Sequence, residues 1–202
     1  MATTRTADRV LTVPNVITVV RLACIPVFLW LLFVQEDRLA AGILLGALGA
    51  TDWVDGYIAR HFDQVSDLGK VLDPTADRVL LLAGAIGLLH EDLSVAVDVV
   101  LWIIIIREVL IATATVSLGL MGARRIDVVW AGKAGTLALM FALPMFLAAD
   151  AISQLHALFT VCGWGFAIGG IILGYYAAMR YVPAARDALR EGRSARLVAE
   201  VH

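Results

Sequence analysis

Charge is what this sequence has least of for its length. Only 17% of its 202 residues are Asp, Glu, Lys or Arg, where a soluble domain carries about 25%. Hydrophobic residues make up 60%, and the mean hydropathy is +0.85. Such values exclude an ordinary soluble domain and point to a chain embedded in lipid. Cysteine is scarce too: Cys24 and Cys162 both lie in apolar stretches, with no CxxC and no Cys/His cluster nearby. A disulfide framework and a thiolate metal site are therefore unsupported, and both thiols read as small buried hydrophobes. Low-complexity tracts and internal repeats are missing as well. The opening MATTRTADRVLTVPN has no apolar core ahead of a small-residue cleavage site, so the first apolar segment is expected to stay in the mature protein.

Long hydrophobic runs are abundant. Six segments, about 16–34, 39–60, 71–89, 93–121, 129–149 and 155–181, each offer the roughly 20 helical residues that cross a hydrocarbon core. In lipid only helices or closed barrels satisfy their backbone, and these runs are too long for barrel strands. The expected fold is an all-α integral membrane protein. It would have six transmembrane helices, a short N-terminal interfacial segment and a cytoplasmic C-terminal tail. One domain would span 1–182, with a basic tail over 183–202. Arg5, Arg9, Arg60, Lys70, Arg124, Arg125 and the tail arginines from Arg180 onward fall on one side of this arrangement. The other side holds Glu36, Asp37, Glu91, Asp92 and Asp150, with Arg38 as its one basic residue. The positive-inside rule then makes both termini cytoplasmic. The tail arginines read as topology signals and anionic-lipid contacts, in a surface helix or a disordered segment.

Against that apolar background stand Asp52, Asp55, Asp73 and Asp77, within 26 residues where the second and third segments meet their shared polar loop. An aspartate at a membrane-helix centre costs about 2.5–3.5 kcal/mol even on lenient scales. Four converging carboxylates need a strong counter-charge, and divalent metal supplies it. Asp52 and Asp55 are spaced i, i+3 and Asp73 and Asp77 i, i+4, so each pair shares a helix face. Oxygen ligands without Cys or His suit Mg²⁺ or Mn²⁺ better than zinc. Gly56, Ala59 and Gly69 leave room beside the carboxylates, and Arg60 and Ser66 add a phosphate donor and a hydroxyl. The set suits a phosphoanhydride at a membrane surface.

Residues 52–77 fit the signature D-x2-D-G-x2-A-R-x8-G-x3-D-x3-D without departure. On that motif the chain resembles the CDP-alcohol phosphotransferase family (class I CDP-alcohol phosphatidyltransferases). The opening TVPNVITVVRLACIPVF narrows the resemblance to the branch of phosphatidylglycerophosphate synthases and actinobacterial cardiolipin synthases. The resemblance implies transfer of a phosphatidyl group from CDP-diacylglycerol to a glycerol-type acceptor, with release of CMP. It implies that Asp52, Asp55, Asp73 and Asp77 hold a two-metal site of Mg²⁺ or Mn²⁺, and that Asp77 is also the general base on the acceptor hydroxyl. Asn15, Thr18, Gly56, Ala59, Arg60, Ser66 and Gly69 would line the CDP-diacylglycerol site. Asn15, Thr18 and Arg21 recur every three residues, and a polar helix start after Pro14 is the plainer reading of that repeat. A homodimer packed through the third and fourth spans, in a bacterial plasma membrane, is implied too; no nucleic-acid partner is expected.

Arg107 and Glu108 interrupt the apolar run IIIIREVLI, and ionisable groups so placed are functional candidates by default. Arg107, with Lys133 and Thr136 from AGKAGT, would form the acceptor's anion pocket; an internal ion pair and a snorkelling lysine are the plainer alternatives. Phosphatidylglycerophosphate synthases of this branch carry two further cations, where this chain has Thr115 and Gly135. Fewer cations favour a phosphodiester over a doubly charged monoester. The expected acceptor is therefore phosphatidylglycerol, giving cardiolipin, with glycerol 3-phosphate as the alternative. Restoring both positions by Thr115→Arg with Gly135→Lys is expected to shift preference toward glycerol 3-phosphate. A cation transporter or channel is the competing class. It would place acids at several depths, whereas these four cluster at one face.

Overall fold

A computed structural model describes the backbone of residues 13–61, 69–120 and 130–200, and side chains within 15–51, 72, 75–117 and 130–180. The described chain is all helical. It comprises α1 (Val13–Phe33), α2 (Arg38–His61), α3 (Gly69–Leu88), α4 (Val95–Leu120), α5 (Trp130–Ala151) and α6 (His156–Glu200), with a single 3-10 turn at Ser153–Leu155 before α6.

Helix ends are set by local chemistry. Glu36 closes α1 at a positive φ of 54°, the left-handed conformation in which many helices terminate. Asp37 then caps α2, its Oδ1 accepting the Ala40 N–H at 2.9 Å. Asp92 provides the second positive φ, 45°, after α3, and Ser94 Oγ accepts the Val97 N–H at 3.3 Å to open α4. Between α5 and α6, His156 Nδ1–H donates to the Ala149 carbonyl at 2.8 Å.

These short links set successive helices antiparallel. α1 lies against both α2 and α3, α2 packs on α5, α4 packs on α3, and α6 runs along α5. Among the described residues α1 meets both aspartate-bearing helices. Phe28, Leu32, Leu80, Leu81, Leu88, Leu101, Ile104, Leu139, Leu143 and Leu147 form a core with almost no exposed surface. Chain links alternate between the two ends of the bundle. Arg38 gathers the three links of one end: it meets Glu91 Oε2 at 2.6 Å, the Glu91 carbonyl at 2.9 Å and the Asp150 carboxylate. Burial alone would lower the pKa of this guanidinium. The hydrogen bonds and charges of Asp150 and Glu91 outweigh it and hold the pKa above the ordinary arginine value.

One expectation is corrected. The six segments expected from hydropathy do form six helices, within a few residues at most ends. Among the described residues, however, only three helices are long and apolar enough to cross a membrane: Asn15–Phe33, Trp130–Ala151 and Ser153–Arg180. The physical reason is where charge falls. In α2 the described apolar stretch is Arg38–Thr51, and Asp52 and Asp55 follow it in the sequence. α3 begins GKVLDPTADR, which leaves only its second half apolar, and α4 carries Asp98, Arg107 and Glu108. Six transmembrane helices are thus too many. The tail is helical through Glu200, continuous with α6.

Candidate functional site

All four aspartates fall on helical backbone, Asp52 and Asp55 late in α2 and Asp73 and Asp77 early in α3. With 3.6 residues per turn, the i, i+3 and i, i+4 spacings put each pair on one helix face, as the motif requires. The side chains of Asp52, Asp55, Gly56, Ala59, Arg60, Gly69 and Asp73 lie outside the described residues, and Ser66 lies outside them altogether. Among the described residues no group of three His, Cys, Asp or Glu gathers as a metal site. A fit to metal therefore rests on the chemistry of the donor set, four hard carboxylates at helical spacing, which suits a hard divalent cation.

The Asp77 side chain is among the described residues, and α1 reaches it. Arg21 Nη1 donates to Asp77 Oδ1 at 2.7 Å, with the arginine side chain wholly buried and that of Asp77 19% exposed. Thr18 and Asn15 are buried on the same face of α1, about one and two turns toward its start. Spacing of three along a helix brings all three to one face, and this face meets α3. The structure thus sets Asn15 and Thr18 on the helix face from which Arg21 reaches Asp77. It adds Arg21, to which sequence reasoning gave no role. The available signal was an arginine inside an apolar helix, a costly placement without a partner. Its partner, 56 residues away, was invisible to local reading.

The expected acceptor residues divide. Arg107 Nη2 lies 3.5 Å from Thr136 Oγ1, bringing α4 to α5. Its Nη1 pairs with the Glu108 carboxylate, itself only 2% exposed. The charge of Arg107 is thereby partly offset within the protein. Lys133 is exposed at the start of α5. A Cβ on Gly174 would stand 2.7 Å from Arg107 Nε, so that glycine is what admits the guanidinium beside α6.

Gly135 lies against α6. A Cβ there would meet Gly170 O at 3.0 Å and Gly174 N at 3.1 Å. Position 135 is the seam where the α5 and α6 backbones touch, and a lysine would separate them instead of entering an open pocket. Thr115, the other position lacking a cation, is exposed and its hydroxyl donates to the Ile111 carbonyl at 2.8 Å.

Comparison with known proteins matches residues 11–171 to the CDP-alcohol phosphatidyltransferase family. The chain is 35% identical to the cardiolipin synthase (CMP-forming) of Streptomyces coelicolor over 192 residues, 91% of this chain and 86% of that one. It is 30% identical to a CDP-diacylglycerol–glycerol-3-phosphate 3-phosphatidyltransferase of Pseudomonas fluorescens, across 90% of this chain and 94% of the relative. The Escherichia coli protein of that same description is 29% identical over 86% of the chain.

Proposed function

The chain belongs to the CDP-alcohol phosphatidyltransferase family, and from that premise we propose that it transfers the phosphatidyl group of CDP-diacylglycerol to phosphatidylglycerol, releasing CMP and forming cardiolipin. It is a membrane enzyme of phospholipid biosynthesis. The observation that carries the reaction is the intact signature over 52–77 on the facing ends of α2 and α3.

Asp52, Asp55, Asp73 and Asp77 would hold the Mg²⁺ or Mn²⁺ ions. When bound, these supply the positive charge that offsets the donor's pyrophosphate as CMP leaves. Asn15 and Thr18, buried on α1, would orient the nucleotide end of the donor together with Gly56, Ala59, Arg60, Ser66 and Gly69. Asp77 would take the proton from the acceptor hydroxyl as its oxygen attacks the phosphorus. Arg107 and Thr136 would receive the acceptor's phosphate, with Lys133 at the rim. The partial offset of Arg107 by Glu108 and the closed seam at Gly135 support an acceptor of low charge. A doubly charged monoester there would lose its water without full replacement.

The basic end of the bundle, which carries the aspartates, is the cytoplasmic one by its excess of Arg and Lys. A homodimer packed through α3 and α4 is part of the proposal. Purified protein given CDP-diacylglycerol and Mn²⁺, with each acceptor in turn, tests the reading through CMP release and the lipid formed. Cardiolipin from phosphatidylglycerol is expected. Phosphatidylglycerophosphate alone would replace the acceptor by glycerol 3-phosphate and leave the reaction class intact.

A further inference from the structure

We propose that Arg21 is the positioning residue of the acceptor base, holding the Asp77 carboxylate at a fixed place and angle from the first helix. The inference rests on the reading of Asp77 as the base and adds a residue to it.

Arg21 is 1% exposed within α1, and Ile25, Phe28 and Leu32 continue its face into the apolar core. A guanidinium there has given up its water and needs a counter-charge. It finds one across the bundle at a distance of 2.7 Å, from α1 to α3. That is the length of a charge-assisted hydrogen bond, roughly twice as strong as a neutral one. On α3, Ala76 and Leu80 are both fully buried beside Asp77, so the backbone carrying the carboxylate is itself anchored. The helix fixes the Cα and the arginine fixes the side-chain torsion.

The pair is also lopsided. The side chain of Arg21 has no exposure, whereas that of Asp77 keeps 19%. The arginine side chain is buried, and the carboxylate it holds keeps part of its surface exposed. A carboxylate held through Oδ1 keeps one side-chain orientation instead of several. Positioning of this kind matters because misplacing a reacting group by about 1 Å can cost on the order of 100-fold in rate. The planar guanidinium suits the task better than an ammonium, which would supply charge without a fixed direction.

The test uses purified full-length protein with Mn²⁺, CDP-diacylglycerol and whichever acceptor supports CMP release. Arg21→Gln should lower kcat about 10- to 100-fold while the KM for CDP-diacylglycerol changes little. Arg21→Lys should recover part of that loss. In an Asp77→Asn background, Arg21→Gln should have no further effect on kcat, because the arginine acts through the carboxylate. Melting temperatures without metal give a readout independent of turnover. Each single change should lower the midpoint, and the double change should cost less than the two single losses summed, since both break the same bond. Wild-type kcat in Arg21→Gln, or losses that simply multiply in the double variant, would overturn the proposal. Should Arg21→Gln fail to fold, Arg21→Lys decides. A kcat loss at constant donor KM supports the role, and kinetics unchanged or altered in KM alone overturn it. A wild-type protein releasing no CMP with either acceptor removes the reading of the base and this role together, whereas wild-type turnover indifferent to Arg21 removes the role alone.

Discussion

Two arginines bind carboxylates from other helices near opposite ends of this bundle, and their surroundings differ in kind. Arg38 is 34% exposed and gathers Glu91 and Asp150, tying the links after α1, α3 and α5 into one knot. A recess of 410 Å³ lined by Leu32, Phe33, Glu36, Arg38, His90 and Glu91 brings water to it. Arg21 is wholly enclosed and meets Asp77, whose carboxylate stays partly open. The first arrangement spends its contacts on the chain's own links, including a backbone carbonyl. The second sets a partly exposed carboxylate on a buried arginine. Partial solvation makes the Arg38 knot a device for holding helices together, while the cost of burying Arg21 is justified only where a carboxylate must be kept in place.

The sharpest way to break this contrast is to remove the metal, or the acids expected to hold it. Chelation should abolish CMP release and added Mn²⁺ should restore it. Asp52→Asn or Asp73→Asn should each lose at least about two orders of magnitude in kcat/KM, the scale of removing a principal electrostatic stabiliser. Neither should lower the melting temperature, because an unfilled cluster of like charges repels itself. Near-normal turnover in either variant would leave the aspartate end without its chemistry and make the two ends alike.

How much of this could be read from the sequence depends on the range of the signal. Hydrophobic runs located all six helices, because the pattern is local and burial in lipid or core asks for the same residues. The number of spans could not be read the same way: α2 and α3 continue as helices through Asp52–His61 and Gly69–Arg78, where polarity departs from what lipid accepts. A helix and a span are different things when a helix projects its polar turns beyond the apolar layer. The aspartate signature was fully legible as spacing, since helical period alone makes i, i+3 and i, i+4 neighbours. Arg21 was visible only as a cost without a partner, and its pairing with Asp77 needed the fold. Gly135 shows the reverse case. Read against relatives it was a missing cation, but in the fold its lack of a side chain is what lets α5 touch α6.

That seam gives a prediction intermediate in size and located between the two ends. Gly135→Lys should lower both stability and turnover, because a side chain there strikes the Gly170 carbonyl and the Gly174 amide before it can reach any ligand. Overpacking of this kind costs about 1–3 kcal/mol, and Arg107, seated against Gly174, would move with α6. A melting curve together with acceptor competition distinguishes the cases. A stable Gly135→Lys enzyme with improved use of glycerol 3-phosphate would show that position 135 opens to the acceptor after all.

The smallest effect on chemistry should come from the other arginine. Arg38→Ala removes a knot of three contacts, two of them from carboxylates, and leaves Glu91, 8% exposed, without its cation. Hydrogen bonds to charged groups contribute about 1.5–3 kcal/mol each when lost singly, and the partial exposure of this cluster pulls the total toward the low end. A net loss of about 2 kcal/mol corresponds to a midpoint lower by roughly 4–8 °C in a chain of this size. Turnover per folded molecule should nevertheless be unchanged, because Arg38 begins α2 while the aspartates lie at the far end of that helix. Arg38→Lys should recover less than half of the stability, since an ammonium cannot reproduce the fork that meets two carboxylates and a carbonyl at once. Measuring the melting midpoint and the rate on the same preparation is decisive. A variant that melts normally but turns over slowly would mean that the two ends are mechanically coupled, and the division of labour between the two arginines would fail.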